Sequence, residues 1–218
     1  MLMKNRIVKF VVLVCCLCSM PGIVRAQLSV HQFDQLMKKI DDVLWYEKVG
    51  DIAYVDKVIL CGPPRWKEFN PTSMSAGNEL KFRAYIFIPK SVDENKKYPL
   101  IVFPHSGVHA DMDTYYAHII RELIAQEYIV VAADYRGSTG YGSGTYNNLD
   151  YGGLENEDVY ISRNYMVDNF DIVDGNRVGI MGWSHGGMIT LMNLFNYPGQ
   201  YKCGFAGVPV SDLSLIHI

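Results

Sequence analysis

Four short runs of apolar residues limit what this chain can become. Residues 100–103, 128–133, 177–181 and 203–208 lack the polar alternation of a strand with one wet face. Runs of this kind read as strands covered on both sides, as in a parallel sheet. Helical stretches separate them, at about residues 114–126, 155–169 and 187–195. The second has Val159, Ile161, Tyr165 and Met166 as its apolar set. Strand and helix in alternation predict an α/β fold, a mostly parallel sheet with right-handed crossovers and helices on its faces.

The residues before this core read differently. Residues 80–88 alternate, with Phe82, Ala84, Ile86 and Ile88 set against Lys81, Arg83, Tyr85 and Phe87, and Pro89 ends the strand. Residues 91–97 make a charged turn. Residues 52–60 predict another strand, stopped by Cys61-Gly62-Pro63-Pro64. Residues 65–79 read as a loop. Residues 27–47 have helical spacing through Phe33, Leu36, Met37, Ile40, Val43 and Leu44, the pattern of a helix packed by that face. There is no internal repeat and no low-complexity segment.

The third run leads into Gly182-Trp183-Ser184-His185-Gly186, and a helical pattern follows at once. Strand, Gly-x-Ser-x-Gly, helix is the context of a nucleophile elbow, in which a serine hydroxyl projects from a tight turn. Gly182 and Gly186 stand where a Cβ would crowd the neighbouring strand and helix, and Gly187 relieves the same crowding. The helix N-terminus behind Ser184 favours developing negative charge. A plain Gly-rich turn is the other reading of the pentapeptide, and the flanking elements favour the nucleophile. In an α/β sheet the active residues gather at the C-terminal strand ends. Those ends here are 104–108, 134–138, Ser184 and 209–212. One oxyanion donor is expected from the first loop, at Ser106 and Gly107, and the other from the backbone N–H of His185. Losing one such donor costs on the order of 10²–10³ in rate.

Three stretches carry a family resemblance. They are Asp134-Tyr135-Arg136-Gly137-Ser138-Thr139-Gly140-Tyr141-Gly142, then Glu157-Asp158-Val159 before a helix, then residues 174–187 from Asp174-Gly175-Asn176-Arg177 through the elbow. In order and spacing they resemble the prolyl oligopeptidase family of serine peptidases, most of all its acylaminoacyl-peptidase and dipeptidyl-peptidase branch, over about residues 98–212. The resemblance implies an α/β-hydrolase fold. It also implies hydrolysis of peptide or related acyl bonds through a Ser-Asp-His triad, with Ser184 as nucleophile and no cofactor. Two departures accompany it. The family often has His-Gly-Gly-Pro after its first buried strand, where this chain has His105-Ser106-Gly107-Val108, and Gly107 keeps one flexible position. Members also commonly carry an N-terminal β-propeller, for which residues 27–97 are too few.

The remaining polar residues divide into scaffold and candidates. The side chain of His185 sits beside the serine in a tight elbow and cannot turn back to its hydroxyl. His105 reads as scaffold of the oxyanion loop, and His109 and His118 as surface or helix residues. Arg136 and Asp158 are expected to pair and pin the loop after the second buried strand. Tyr135, Tyr141 and Tyr146 either line a substrate pocket or belong to ordinary loops. Asp212 reads as a pocket or turn residue. The triad order is Ser, then Asp, then His. After Ser184 the chain has only Asp212 and His217, too close together to come from two further strand ends. The expectation is therefore a hydrolase domain incomplete at its C-terminus and inactive by itself, with residues 213–218 a non-native tail.

Lys4, Arg6 and Lys9 precede an apolar stretch at 10–20, Pro21-Gly22 breaks it, and Val24-Arg25-Ala26 offers a cleavage site. Residues 1–26 are thus expected to be a secretory signal peptide, with the mature protein secreted or periplasmic and not inserted in a membrane. The residues preceding Cys15, Cys16 and Cys18 do not suit lipid modification. Of the mature cysteines, Cys61 stands beside a turn and Cys203 in an expected buried strand, a pair with no disulfide framework or metal spacing. Residues 1–26 hold four cations and no acid, so the net charge of −3 becomes −7 without them. An acidic chain without a basic cluster speaks against nucleic acid and leaves a peptide or small acyl substrate as partner. The expected divisions are 1–26, an N-terminal extension at 27–79, a partial catalytic domain at 80–212 and the tail. An acyl esterase and a non-catalytic binding protein on the same scaffold are the rival readings.

Overall fold

The computed structural model describes residues 29–63 and 80–212. The expected export segment, the 65–79 loop and the tail with His217 lie outside them. The elements, in chain order, are α1 (Val30–Val49), β1 (Ala53–Gly62), β2 (Leu80–Pro89), β3 (Tyr98–Val102), a 3-10 turn (Thr114–Tyr116) running into α2 (Ala117–Ala125), and β4 (Ile129–Asp134). There follow the single turn α3 (Ser143–Tyr146), α4 (Leu154–Asn169), β5 (Val173–Trp183), α5 (His185–Asn196) and β6 (Cys203–Gly207). One six-stranded sheet runs β1-β2-β4-β3-β5-β6. β3 is parallel to β4 and β5, and β5 to β6, while β1–β2 and β2–β4 are antiparallel. This is the mostly parallel α/β sheet that the apolar runs predict.

Both faces of the sheet are covered, which is why its middle strands are apolar throughout. In β4, Ile129, Val131 and Ala133 pack on one side and Val130 and Ala132 on the other. The first side holds Val159 and Met166 of α4 with Met188 and Ile189 of α5. The second holds Trp45 and Val49 of α1 with Ile120 and Ile124 of α2. β2 follows the same rule, so its alternation separates two cores: Phe82, Ala84 and Ile86 from Tyr85 and Phe87. β5 is longer than its expected 177–181 core. Its pairing with β3 jumps from Tyr98–Val173 to Leu100–Val178, so residues 174–177 bulge out of register.

Three expectations need correction. The division at 79/80 falls inside one sheet, since β1 pairs with β2 over its whole length and α1 contributes Trp45 to the core. α1 starts with a capping box, Ser29 Oγ accepting from Gln32 N–H and Gln32 Oε1 from Ser29 N–H. It packs, however, by the face opposite to its apolar stripe. Phe33 is 53% exposed and Val43 69%, with Leu36, Met37 and Ile40 exposed as well, while Lys38, Trp45 and Val49 are buried. Two causes act together: Lys38 Nζ lies 2.9 Å from Asp111 and 2.9 Å from Asp134, at the end of β4, and Trp45 and Val49 on the same face are buried in the second core. Cys203, third, is exposed, because β6 is the last strand of the sheet and most of it stays open.

Candidate active site

The elbow forms where β5 ends. Ser184 has φ 53° and ψ −119°, a conformation that a side chain resists, and it stands between Trp183 of β5 and His185, the first residue of α5. Its backbone N–H donates to Gly207 O at 3.0 Å, and its carbonyl accepts from Met188 and Val210. The turn is thereby tied to β6, to α5 and to the loop beyond. The glycines are needed for space. A Cβ at Gly182 would lie 2.5 Å from the Gly186 carbonyl oxygen and 2.9 Å from that of Pro104. At Gly186 it would lie 2.6 Å from the His105 carbonyl oxygen. At Gly187 it would press on Gly207 and Pro209. These same distances bring the 104–107 loop against the elbow, joining the ends of β3 and β5. Ser184 is half-buried, and no described residue hydrogen-bonds its hydroxyl.

The loop after β3 is held rigidly. The His105 ring is fully buried, stacked on Tyr135 at 4.2 Å between centroids, with Nε2 2.8 Å from Ser138 Oγ and Nδ1 3.0 Å from Ser106 O. Burial outweighs the nearby Asp134 and keeps the His105 pKa below its ordinary 6.5. With both nitrogens engaged, His105 is scaffold. Tyr135 does not line a pocket. It is 0% exposed, and its hydroxyl proton is directed at the carbonyls of His105 (2.9 Å) and Gly107 (3.1 Å). The Ser106 N–H is also committed, donating to Tyr116 Oη at 3.1 Å, while Ser106 Oγ meets the same hydroxyl at 2.6 Å. Gly107, at φ 83°, and His185, first in its helix, are left with N–H groups that no described acceptor takes. Tyr116 gave no signal in the sequence, since nothing in a Thr-Tyr-Tyr turn announces contact with a loop ten residues back.

His185 turns its ring inward, 1% exposed, with Nε2 3.5 Å from Glu155 Oε1. Glu155 is buried too. Burial opposes its charge, yet His185 and the Gly152 N–H outweigh this and hold its carboxyl below the ordinary 4.5. Glu155 was missed in the sequence. Its only trace is a place one helical turn before Asp158, in a motif whose other acids stand out more. Arg136 and Asp158 pair as expected: Nε and Nη2 reach the two carboxylate oxygens at 2.8 and 2.7 Å, and Arg136 N–H adds a third bond at 3.0 Å. His109 lies parallel to Tyr146 at 3.7 Å and contacts Gly137 O, and His118 contacts Tyr115 O, so neither approaches Ser184 through those atoms.

Tyr141 bonds Asp134 and lines a separate cavity with Lys38, Lys57 and Arg83, none of them an elbow residue. Asp212 has its own contacts at the end of the described residues. The carboxylates of Asp41, Asp111 and Asp113 come within 4.8 Å of one another. Asp111 already meets Lys38 and Thr139, and Asp41 meets Thr114. No described helix is long and apolar enough to cross a membrane.

A strained serine between a parallel strand and a helix N-terminus, with the open N–H of His185 next to it and Pro104 and His105 packed against the elbow, defines the α/β-hydrolase class. Comparison with known proteins narrows this. Residues 114–218 match the prolyl oligopeptidase family, and the chain carries a domain of that family of serine peptidases. The acylamino-acid-releasing enzyme of Homo sapiens is 29% identical over 183 residues, 81% of this chain and 24% of that protein. Dipeptidyl peptidase 8 of Homo sapiens is 30% identical over 135 residues, 58% of this chain and 15% of its own. Among solved structures, a Mycobacterium tuberculosis puromycin-hydrolyzing peptidase superposes with a TM-score of 0.62 at 25% identity, over 74% of this chain and 23% of its own. An acylaminoacyl peptidase of Pyrococcus horikoshii gives 0.59 at 19%, covering 78% and 25%. The chain thus spans about a quarter or less of the length of these relatives.

Proposed function

We propose that this chain supplies the nucleophile of a serine peptidase that cleaves peptide or aminoacyl bonds through an acyl-enzyme at Ser184. The observation that carries the reading is the Ser184 backbone at φ 53°, ψ −119°, with its hydroxyl unbonded by any described residue. A strained turn that leaves a hydroxyl open is a feature of sites, since it costs of order 1–3 kcal/mol and gives nothing back to the fold. The serine Oγ attacks the acyl carbon and the carbonyl oxygen becomes an oxyanion. The N–H groups of His185 and Gly107 receive that charge, aided by the N-terminus of α5. The substrate is a peptide or small acyl compound, and the likeness to acylamino-acid-releasing enzymes favours an acylated amino-acid or peptide substrate over a simple ester. The place of action is outside the cytoplasm, on the strength of the export signal read in residues 1–26.

A serine hydroxyl attacks slowly until a histidine takes its proton. His105, His109, His118 and His185 are engaged elsewhere or turned inward, and His31 packs on Tyr146, so on this reading the base comes from outside the described residues. The test is labelling with a fluorophosphonate. The 218-residue chain should label at a small fraction of the rate of a form in which a histidine reaches Ser184, a difference on the order of 10⁶ in triad enzymes. Ser184→Ala should abolish labelling of that competent form. Rapid labelling of the 218-residue chain would place the base within it and return attention to His105 and His217. A form extended to include such a histidine that still fails to label would make the scaffold non-catalytic.

A further inference from the structure

A second concentration of charge lies between α1 and the β1–β2 pair. A cavity of about 320 Å³ opens there, lined chiefly by Lys38, Lys39, Lys57 and Arg83 together with Asp42 and Tyr141. Three of the cations surround one ring: Lys57 Nζ stands 4.8 Å from the Tyr141 centroid, Arg83 Cζ 4.9 Å and Lys38 Nζ 5.7 Å. A ring face attracts a cation weakly and cancels none of its charge.

The carboxylates nearby do not cover all four. Asp111 and Asp134 are both spent on Lys38, at 2.9 Å each. Asp42 meets Lys57 at 2.7 Å and also accepts from the Tyr85 hydroxyl. Arg83 and Lys39 have no ion-pair partner among the described residues. Lys39 is exposed and water serves it, but Arg83 is only half-exposed. Burial lowers the Lys57 pKa and Lys38 adds to this, and Asp42 and Asp134 together do not restore the balance. A guanidinium fork and an ammonium, neighbours on the same face of β2 and β1, line one polar cavity with fewer carboxylates than cations among the described residues, an arrangement suited to an oxyanion.

We infer that this cavity binds a small oxyanion, a carboxylate or phosphate group, held by Arg83 and Lys57 with Lys39 at the mouth. The site is distinct from the serine. Arg83 pairs across the sheet with Asp134, the last residue of β4, and β3 separates that strand from β5. The anion therefore lies at the same end of the sheet as Ser184, with β4 and β3 standing between β2 and β5, in a pocket that shares no residue with the elbow.

The experiment is calorimetric titration of the 218-residue chain with inorganic phosphate and, separately, with acetate, in sodium chloride at matched ionic strength. Saturable binding of at least one probe is expected, with phosphate the tighter if the site is tetrahedral and acetate if it is planar. Arg83→Gln should weaken binding about ten- to a hundredfold, as loss of a charged hydrogen-bond donor does. Lys57→Gln should act alike, and Lys39→Gln should weaken it less. Heat uptake no greater than in chloride for both probes would overturn the inference, as would undiminished binding by a folded Arg83→Gln. If Arg83→Gln does not fold, undiminished binding by Lys57→Gln and Lys39→Gln together overturns it.

Discussion

At Gly186 a single methyl group decides whether the elbow and the oxyanion loop can coexist. Backbone oxygens of Pro104 and His105 occupy the space, and backbone cannot swing aside as a side-chain tip can. Gly186→Ala is expected to destabilise the chain by roughly 1–3 kcal/mol, the usual range for overpacking, measured by urea denaturation. His105 is the other residue with a readable consequence. Its folded pKa is held below 6.5 by burial, so between the two values the unfolded chain binds more protons than the folded one. Stability is then complete above about pH 6.5 and is lost as pH falls from there toward the folded value. The melting temperature should fall on acidification from about pH 7 to about pH 5. In His105→Asn that part of the profile should flatten, and an unchanged slope would assign it to another group.

Among the elements, α1 is the one whose inward face is read wrongly from its spacing. Its stripe of Phe33, Met37 and Ile40 has helical period, and a period shows that a helix has two unlike faces without showing which one meets the sheet. Here the ion pairs of Lys38 and the indole of Trp45 decide, with Trp45 packed against Phe87 at 4.9 Å between ring centroids. Trp45→Ala should therefore cost about 3–5 kcal/mol, whereas Phe33→Gln should change stability by no more than about 0.5 kcal/mol. Thermal melts of the two variants check this. The reverse ranking would show that the apolar stripe is the packed face.

For the molecule as a whole, one buried pair ties distant parts together. Arg136 leaves the end of β4, Asp158 comes from α4, and Arg136 also donates to Pro63 O at the exit of β1. Gly62 lies so close that a Cβ there would run into both side chains. Asp158→Asn keeps the shape and leaves Arg136 buried without a counter-charge. The expected loss is roughly 3–5 kcal/mol in equilibrium unfolding, and double substitution with Arg136→Met should recover part of it.

The sequence by itself determined the strand–helix alternation, the sheet class and the Ser184 elbow with its glycines. Each depends on local spacing or on a residue with few alternatives: a doubly covered strand must be apolar, and a turn without room for a Cβ must be glycine. Only the tertiary structure decided which face of α1 turns inward, that β1 joins the sheet, and that Ser106 spends its N–H on Tyr116 while Tyr135 braces the loop from beneath. It also gathered Lys38, Lys57 and Arg83 around Tyr141. These depend on which distant group supplies a partner. A lysine, a tyrosine hydroxyl or a backbone N–H is equally suited to water or to a buried acceptor, and nothing in its neighbours along the chain says which it will meet.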